Sequence, residues 1–158
     1  MMYKRITILV SILCCSLGLS AQQRAIQSLY MFDRLLINPA YAGNHVQLSA
    51  TAIYRNQWVN FPGAPKTFTA TVHSGFQKTR AGIGIILGND QIGVHSDNSL
   101  YLAYSYKLPL KKYSRASLSM GIQGGFNNLK SDYGILNAKD PDMYGALTKF
   151  NPNFGAGL

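Results

Sequence analysis

The side chains of this sequence that could do chemistry are few and widely spaced. Its three histidines, His45, His73 and His95, are separated by 28 and 22 positions. Glutamate is absent, and both cysteines, Cys14 and Cys15, lie within the first 20 residues. Metal centres usually draw their His and Cys ligands from closely spaced motifs. The sequence therefore predicts no metal site, and the histidines are interpreted as side chains of loops or of an interior surface.

Three further patterns fall short of the motifs that they resemble. The run Gly82–Gly84 continues to Leu87-Gly88 instead of completing a dinucleotide-binding fingerprint, and no helix signal follows it. The aspartates lack the spacing of an EF-hand calcium loop. Pairs of Ser or Asp with His exist, but nothing in the sequence brings them together as a catalytic group. We therefore expect no catalytic residues and no cofactor.

The composition indicates a chain built from strands and turns. Of its 158 residues, 47% are hydrophobic and 13% are charged, with 10 Tyr, 7 Phe and 15 Gly. The hydrophobic content excludes a disordered chain, and the charged fraction is about half of the usual soluble value. A helical soluble domain would normally carry many Glu. The formal net charge is +9, but the basic residues are scattered, so we expect no nucleic-acid partner.

The first 21 residues have the three-part pattern of a secretory signal peptide. Lys4 and Arg5 precede an apolar run from Ile6 to Leu19, and Ser20-Ala21 supplies small residues before a polar stretch. We expect cleavage after Ala21. The mature chain would then carry no cysteine and a net charge of +7, because 13 basic and 6 acidic residues remain.

From residue 46 onward, period-two alternation is the main signal, and it predicts β-strands. It is clearest in Arg115–Asn127. Other strands are predicted to begin at Val46, Thr67, Ala81, Leu100 and near Asn153. The better ones run to about 9–13 residues, whereas ordinary strands average ~5–6 and bilayer-crossing strands need ~9–11. Because the second face is small and polar, we predict an all-β fold, an antiparallel outer-membrane β-barrel whose apolar face meets lipid.

Alternation alone leaves a second fold open, a secreted soluble sandwich whose apolar face packs on another sheet. About six strands are also too few for a single-chain barrel, which has at least 8. We therefore expect residues 46–158 to be an open, curved part of a barrel that belongs to a longer protein. Residues 22–45 are predicted to be a periplasmic lead-in, either an ordinary one or a plug at the barrel mouth.

The predicted connections alternate between long and short. The long ones, Asn56–Lys66, Asn89–Asn98 and Asn128–Asn151, are predicted to be extracellular. The short ones, Gln77–Arg80 and Leu108–Ser114, are predicted to face the periplasm. Basic residues cluster in or beside these short turns, which agrees with this orientation.

Several segments carry a resemblance to a known family. The stretch Tyr30–Gly43, YMFDRLLINPAYAG, resembles the start of the PorP/SprF family of outer-membrane proteins, which belong to the type IX secretion and gliding machinery of Bacteroidetes. Further matching stretches are Tyr54–Trp58, Gly63–Thr67 with Val72-His73, Gly82–Gly84 and Asn89–Gly93. The ordered series is specific, and the resemblance covers residues from about Gln22 to Leu158.

The resemblance implies a β-barrel in the outer membrane without enzymatic activity. Its implied roles are the export or anchoring of surface adhesins, with periplasmic ring components of the secretion system as partners. A passive pore or solute transporter is the alternative function. Arg55 is expected on the lumen side of a strand end, and Trp58 in a loop or at the headgroup level. Candidate contacts with a partner or in the lumen are Asn38, Tyr41, Arg55, Trp58, Lys66 and His73.

Overall fold

A computed structural model describes residues 31–110, 116–133 and 146–158. The predicted signal peptide and the first part of the lead-in, residues 22–30, lie outside the described residues. Six antiparallel strands form one sheet, in which each strand pairs with the next along the chain. They are β1 (Ser49–Asn56), β2 (Lys66–Phe76), β3 (Ala81–Ile92), β4 (His95–Pro109), β5 (Ser117–Asp132) and β6 (Ala146–Gly157). The prediction of an all-β fold with an open antiparallel sheet is confirmed.

One face of the sheet, which we call the outward face, carries the large apolar side chains. In β4, Leu102, Tyr104 and Tyr106 are exposed, while Tyr101, Ala103 and Ser105, which alternate with them, are buried. The apolar run on this strand extends from Leu100 to Leu108. At about 3.3 Å per residue it is about 26 Å long, or about 20 Å tall at a barrel tilt of ~40°. This height is comparable to the apolar band of a membrane barrel, ~25 Å.

The outward face is not covered by a second layer among the described residues, because all six strands belong to the same sheet. The described part of the chain is therefore not a two-layer sandwich. Large apolar side chains lie exposed on most strands of the outward face. They include Tyr54, Phe68, Val72, Ile83, Ile85, Leu87, Leu102, Ile122, Phe126, Phe150 and Phe154.

The opposite face, which we call the interior face, is covered over part of its length by the chain that precedes β1. This segment contains two short 3₁₀ helices, Arg34–Leu36 and Pro39–Gly43. Asp33 caps the first and Asn38 caps the second, each through a side-chain oxygen that accepts a backbone N–H. Among the described residues, no helix is long and apolar enough to cross a membrane.

The sheet curves around this segment. In a flat sheet, β2 and β6 would lie about 19 Å apart, because neighbouring strands are separated by ~4.8 Å. The helix Pro39–Gly43 is only about 10 Å long at ~2 Å per residue. Its two ends nevertheless reach both strands, because a Cβ at Gly75 of β2 would lie 2.7 Å from the Gly43 carbonyl oxygen and one at Gly157 of β6 would lie 3.0 Å from Pro39. The interior face is therefore concave, as expected for part of a barrel wall.

The strand ends differ most from the prediction around the predicted long loops. The predicted loop Asn89–Asn98 is wrong, because β3 and β4 continue through it and turn at residues 93–94. Gly93 supplies the positive φ (58°) that a two-residue hairpin turn requires. Likewise, β5 extends to Asp132 and β6 begins at Ala146, so both ends of the predicted loop Asn128–Asn151 belong to strands.

Candidate functional site: an interior face filled by the N-terminal segment

A row of small residues crosses the interior face at the end where the 77–80 turn lies. Ladder pairing aligns one residue from each of β2 to β6 in this row. They are Gly75, Gly82, Ser105, Gly121 and Gly157, and we call them the glycine seat. A side chain larger than a hydroxymethyl group is absent from the whole row, so another backbone can approach the sheet directly.

The segment that occupies the glycine seat is Asp33–Gly43, which we call the plug. A Cβ atom added at Gly82 would overlap the backbone of Gly43, and one added at Gly121 would overlap the backbone of Ala40. Plug and sheet therefore meet backbone to backbone at these two points. Glycine at both positions is a steric requirement of the packing.

Asp33 fixes the deeper end of the plug. It is only 4% exposed, and both of its carboxylate oxygens are used. Thr71 on β2 donates its hydroxyl proton to Oδ2, and the backbone N–H of Leu35 donates to Oδ1 at 3.2 Å. Leu35 is fully buried and lies over Gly84. A buried carboxylate is stable only with such partners, so this contact specifies where the plug begins.

An aromatic cluster fixes the other end of the plug. The rings of Tyr41, His45 and His73 lie 5.6–5.9 Å apart, centroid to centroid. His73 donates from Nδ1 to the carbonyl oxygen of Ala42 at 3.1 Å, since a carbonyl can only accept. The carbonyl oxygen of His45 in turn accepts the N–H of Gly75 at 2.7 Å. The chain is thus tied to β2 immediately before it enters β1.

Asn38 connects the plug to the sixth strand. Its Oδ1 accepts the N–H of Ala40 at 2.9 Å, and its Nδ2 donates to the carbonyl oxygen of Leu158 at 2.7 Å. Pro39 follows at the first position of the helix, where its missing N–H is not needed. One side chain therefore both starts the 3₁₀ helix and joins it to the end of β6.

Beyond the plug, towards the β1–β2 loop, the interior face is polar. A cavity there has Leu36 of the plug on its wall, together with Thr67, Tyr101 and Asn127. Asp90 and Asp97 lie directly opposite each other in the β3–β4 ladder and also line it. No group of three or more His, Cys, Asp or Glu side chains within the described residues is arranged to hold a metal ion.

The six candidate residues fall into two groups. Asn38, Tyr41 and His73 lie together at the plug. The other three lie at the opposite end of the sheet: Arg55 is on the interior face of β1, while Trp58 and Lys66 are exposed. The structure does not bring the six into one site.

The sequence interpretation did not select the residues that seat the plug. Asp33 and the glycines of the seat were not among the candidate residues. Asp33 nevertheless bonds to the sheet, and the glycines make the closest contacts with the plug. A signal existed, because Gly75, Gly82 and Gly121 all fall on the polar side of their alternating strands. Repeated glycine on one face of successive strands indicates close approach of another backbone.

A family model described as "Type IX secretion system membrane protein PorP/SprF" matches residues 19–158. The chain belongs to the PorP/SprF family. The resemblance seen in the sequence is thereby confirmed. No curated protein and no solved structure matches the chain.

Membership of the PorP/SprF family makes this chain a membrane protein of the type IX secretion system. The stretch that first suggested the family, Tyr30–Gly43, contains the entire plug. The YRNQW stretch, Tyr54–Trp58, lies at the other end of the sheet, where β1 passes into its loop. The two motifs therefore belong to opposite ends of the same curved wall.

Proposed function

We propose that this PorP/SprF protein is a non-enzymatic component of the outer membrane that helps to export or anchor surface adhesins. The observation that carries the proposal is the filled interior face. A chain whose concave surface is occupied by its own N-terminal segment suits a scaffold better than a conduit. The buried Asp33–Thr71 hydrogen bond supports this reading, because it fixes the plug well inside the wall.

Placement in the outer membrane is supported by the outward face. Its large apolar side chains form an exposed band, as on β4 from Leu102 to Leu108, as expected for the lipid-facing surface of a membrane barrel. We propose that residues 1–21 are a signal peptide that directs export and is removed. Residues 22–45 would then lead into the barrel from the periplasmic side, with residues 46–158 forming its wall.

We propose that the partners include periplasmic ring components of the secretion system and the secreted adhesins. The plug, the 77–80 turn and the hydrogen-bonded pair Leu110 and Ala116 lie at the same end of the sheet. Lys78 and Arg80 lie in that turn, which gives this end a basic surface. If this end faces the periplasm, the ring components meet a surface built from the turns and the base of the plug.

A passive pore is the second candidate function, and one observation favours it. Beyond the plug, the interior face is lined by polar side chains such as Asp97, Tyr101 and Asn127. A water-filled lumen requires this chemistry. Planar-bilayer conductance of the reconstituted protein distinguishes the two functions. We expect no steady ion current, because the plug occupies the concave side; a steady current would favour the pore.

A deletion strain tests the proposed role in secretion directly. We expect the surface adhesin to be lost or retained inside the cell, while the uptake of small solutes is unchanged. Complementation with the wild-type gene should restore the adhesin. Normal adhesin on the surface of the deletion strain, with impaired solute uptake, would overturn the proposal in favour of a transporter.

A further inference from the structure

The loop between β1 and β2, residues 57–65, is ordered by its own backbone hydrogen bonds. Gln57 N–H donates to the Pro65 carbonyl at 3.0 Å, and Phe61 N–H donates to the Trp58 carbonyl at 3.0 Å. The loop also reaches the neighbouring turn, where Gly93 N–H donates to the Gly63 carbonyl at 2.9 Å. These three hydrogen bonds fix the conformation of the loop and hold it along the rim of the sheet, next to the β3–β4 turn.

This ordered loop displays large apolar side chains. Trp58 is 70% exposed, and Val59 and Phe61 are exposed to a similar degree. Trp58 also has a positive φ of 51°, which is unusual for a bulky residue and is retained only where its surroundings hold it. Residues 57–65 contain no charged side chain. The loop is thus a fixed apolar tip at the end of the wall.

The groove beneath the tip opens on the outward face. It lies between the loop and the β3–β4 turn, and two strand residues, Lys66 and Gln91, line it. Both are paired in the β2–β3 ladder and lie on the same side as the apolar band. Their interior-facing neighbours, Thr67 and Asp90, do not line it. The loop therefore leans towards the side on which lipid would lie.

The height of the groove matches the edge of the apolar band. Tyr54 and Phe68 are paired aromatic residues on the outward face. Lys66 lies two residues beyond Phe68, about 7 Å further along the strand. Aromatic side chains concentrate where the hydrocarbon meets the headgroups, and lysine extends its ammonium group towards the headgroups. Continuity with the band places the groove in the headgroup layer.

We propose that this groove binds the phosphate-bearing headgroup of a membrane lipid. Lys66 supplies the cation, the Gln91 amide supplies a neutral donor, and Phe61 lines the groove, with Trp58 in the same hydrogen-bonded turn of the loop. A lysine near an anionic lipid surface contributes about 1 kcal/mol, and a fixed groove concentrates this attraction on one lipid. The proposal rests on the outward face meeting lipid, and it adds a specific lipid site to that surface.

The chain carries its own probe, because Trp58 is its only tryptophan. The full-length protein is reconstituted in phosphatidylcholine vesicles with and without phosphatidylglycerol, and flotation establishes that it is in the membrane. We expect Trp58 emission to be blue-shifted, quenched by lipids brominated near the headgroup and protected from iodide. An emission that iodide quenches fully in floated vesicles would place the loop in water, free for a protein partner, and would overturn the proposal.

Lys130 offers a matched control for the lysine of the groove. It lies in the same transverse row of the outward face as Lys66 and Gln91, but on β5, away from the loop. Short-chain phosphatidylglycerol is titrated into the protein in an uncharged detergent, with Trp58 emission as the readout. We expect Lys66→Gln to weaken binding about fivefold and Lys130→Gln to leave it unchanged.

The remaining outcomes separate a lipid site from simpler attractions. Equal weakening by the two substitutions would mean that any surface lysine suffices, which would overturn the site. Inorganic phosphate alone should not shift the emission at the concentrations that saturate with lipid. If it did, the groove would be an anion site without lipid preference, and the assignment to a lipid headgroup would fail. Failure of flotation would instead contradict the membrane placement itself.

Discussion

Gly43 of the plug lies directly against Gly82 of β3, with no room for a side chain between the two backbones. This contact joins the chain before the first strand to the middle of the sheet. Ser105 on β4 lies against the same pair, since its hydroxyl oxygen would also be struck by a Cβ at either glycine. The concave wall and the segment inside it are therefore fitted to each other at the level of the backbone.

Substitution of Gly82 by alanine should loosen the plug. The added methyl group overlaps Gly43 and Ser105, so either the plug shifts or the strand distorts. Overpacking of this kind costs about 1–3 kcal/mol. We expect the free energy of unfolding of Gly82→Ala, measured by urea titration of the refolded protein, to fall by this amount. Limited proteolysis should cleave the plug region faster than in the wild type.

Gly124→Ala is the matched control for this substitution. Gly124 lies on the outward face of β5, and a Cβ there would meet only the ring of Phe154, at 3.4 Å. Surface changes without a clash are usually within about 0.5 kcal/mol. If both alanine variants lost the same stability, glycine would matter for the strands themselves and the close contact with the plug would not explain it.

The hydrogen bond between Asp33 and Thr71 should contribute measurably to the stability of the plug. Hydrogen bonds to a charged group are worth about 1.5–3 kcal/mol, and the carboxylate is buried. We expect a double-mutant cycle of Asp33→Ala and Thr71→Ala to give a coupling energy in the range of about 0.5–3 kcal/mol. Thr69→Ala, a buried threonine on the same strand, should show no coupling with Asp33→Ala, and coupling of equal size there would argue against a specific bond.

The faces of the strands were predictable because alternation is a local property. In β5, Leu118, Met120 and Ile122 lie on the outward face, as their spacing predicts. The strand ends were not predictable in the same way. Asn89 and Asn98 pair with each other, and Asn89 Nδ2 donates to Asn98 Oδ1 at 2.7 Å. Beyond the apolar band, the β3–β4 ladder continues through polar residues. No hydrophobic alternation marks this part of the strands in the sequence.

Proline explains the error in the last strand. Pro152 lies inside β6 and pairs with Phe126, but a proline normally argues against a strand because it has no N–H to donate. The predicted start near Asn153 placed the strand after this residue. In the described sheet β6 is an edge strand, and an edge tolerates proline. Position within the sheet cannot be derived from the local sequence.

The plug itself was only partly predictable. The turn at Asn38-Pro39 follows from local chemistry, because proline fixes φ and asparagine caps the helix. The contact of Tyr41 with His73 joins residues that are distant in sequence and depends on the docked segment. Likewise, the glycines of the seat form one row only when the strands are aligned in register, so their role in seating the plug is not visible in any single strand.

A charge on the outward face should destabilise the protein in the membrane. Leu102 is 60% exposed, so Leu102→Lys would be nearly neutral in a soluble protein. At the midplane of a bilayer, lysine costs about 2–4 kcal/mol. We expect this loss in urea titrations of the protein folded into vesicles. Thr148→Lys, in the same row as Lys66 and beyond the apolar band, should cost less than about 1 kcal/mol. Equal tolerance of both lysines would contradict a lipid-facing surface.

The two ends of the sheet should face opposite sides of the outer membrane. Short turns of membrane barrels face the periplasm and longer loops face outward, and the plug enters at the end of the 77–80 turn. We expect an epitope tag inserted at Asn60, or near Lys139 outside the described residues, to be labelled on intact cells. A tag at Lys78 should be labelled only after permeabilisation. The 93–94 turn at the opposite end is also short, so the labelling pattern decides the orientation. The reverse labelling pattern would place the plug and the neighbouring 77–80 turn outside the cell. The proposed periplasmic contact with the ring components would then be wrong.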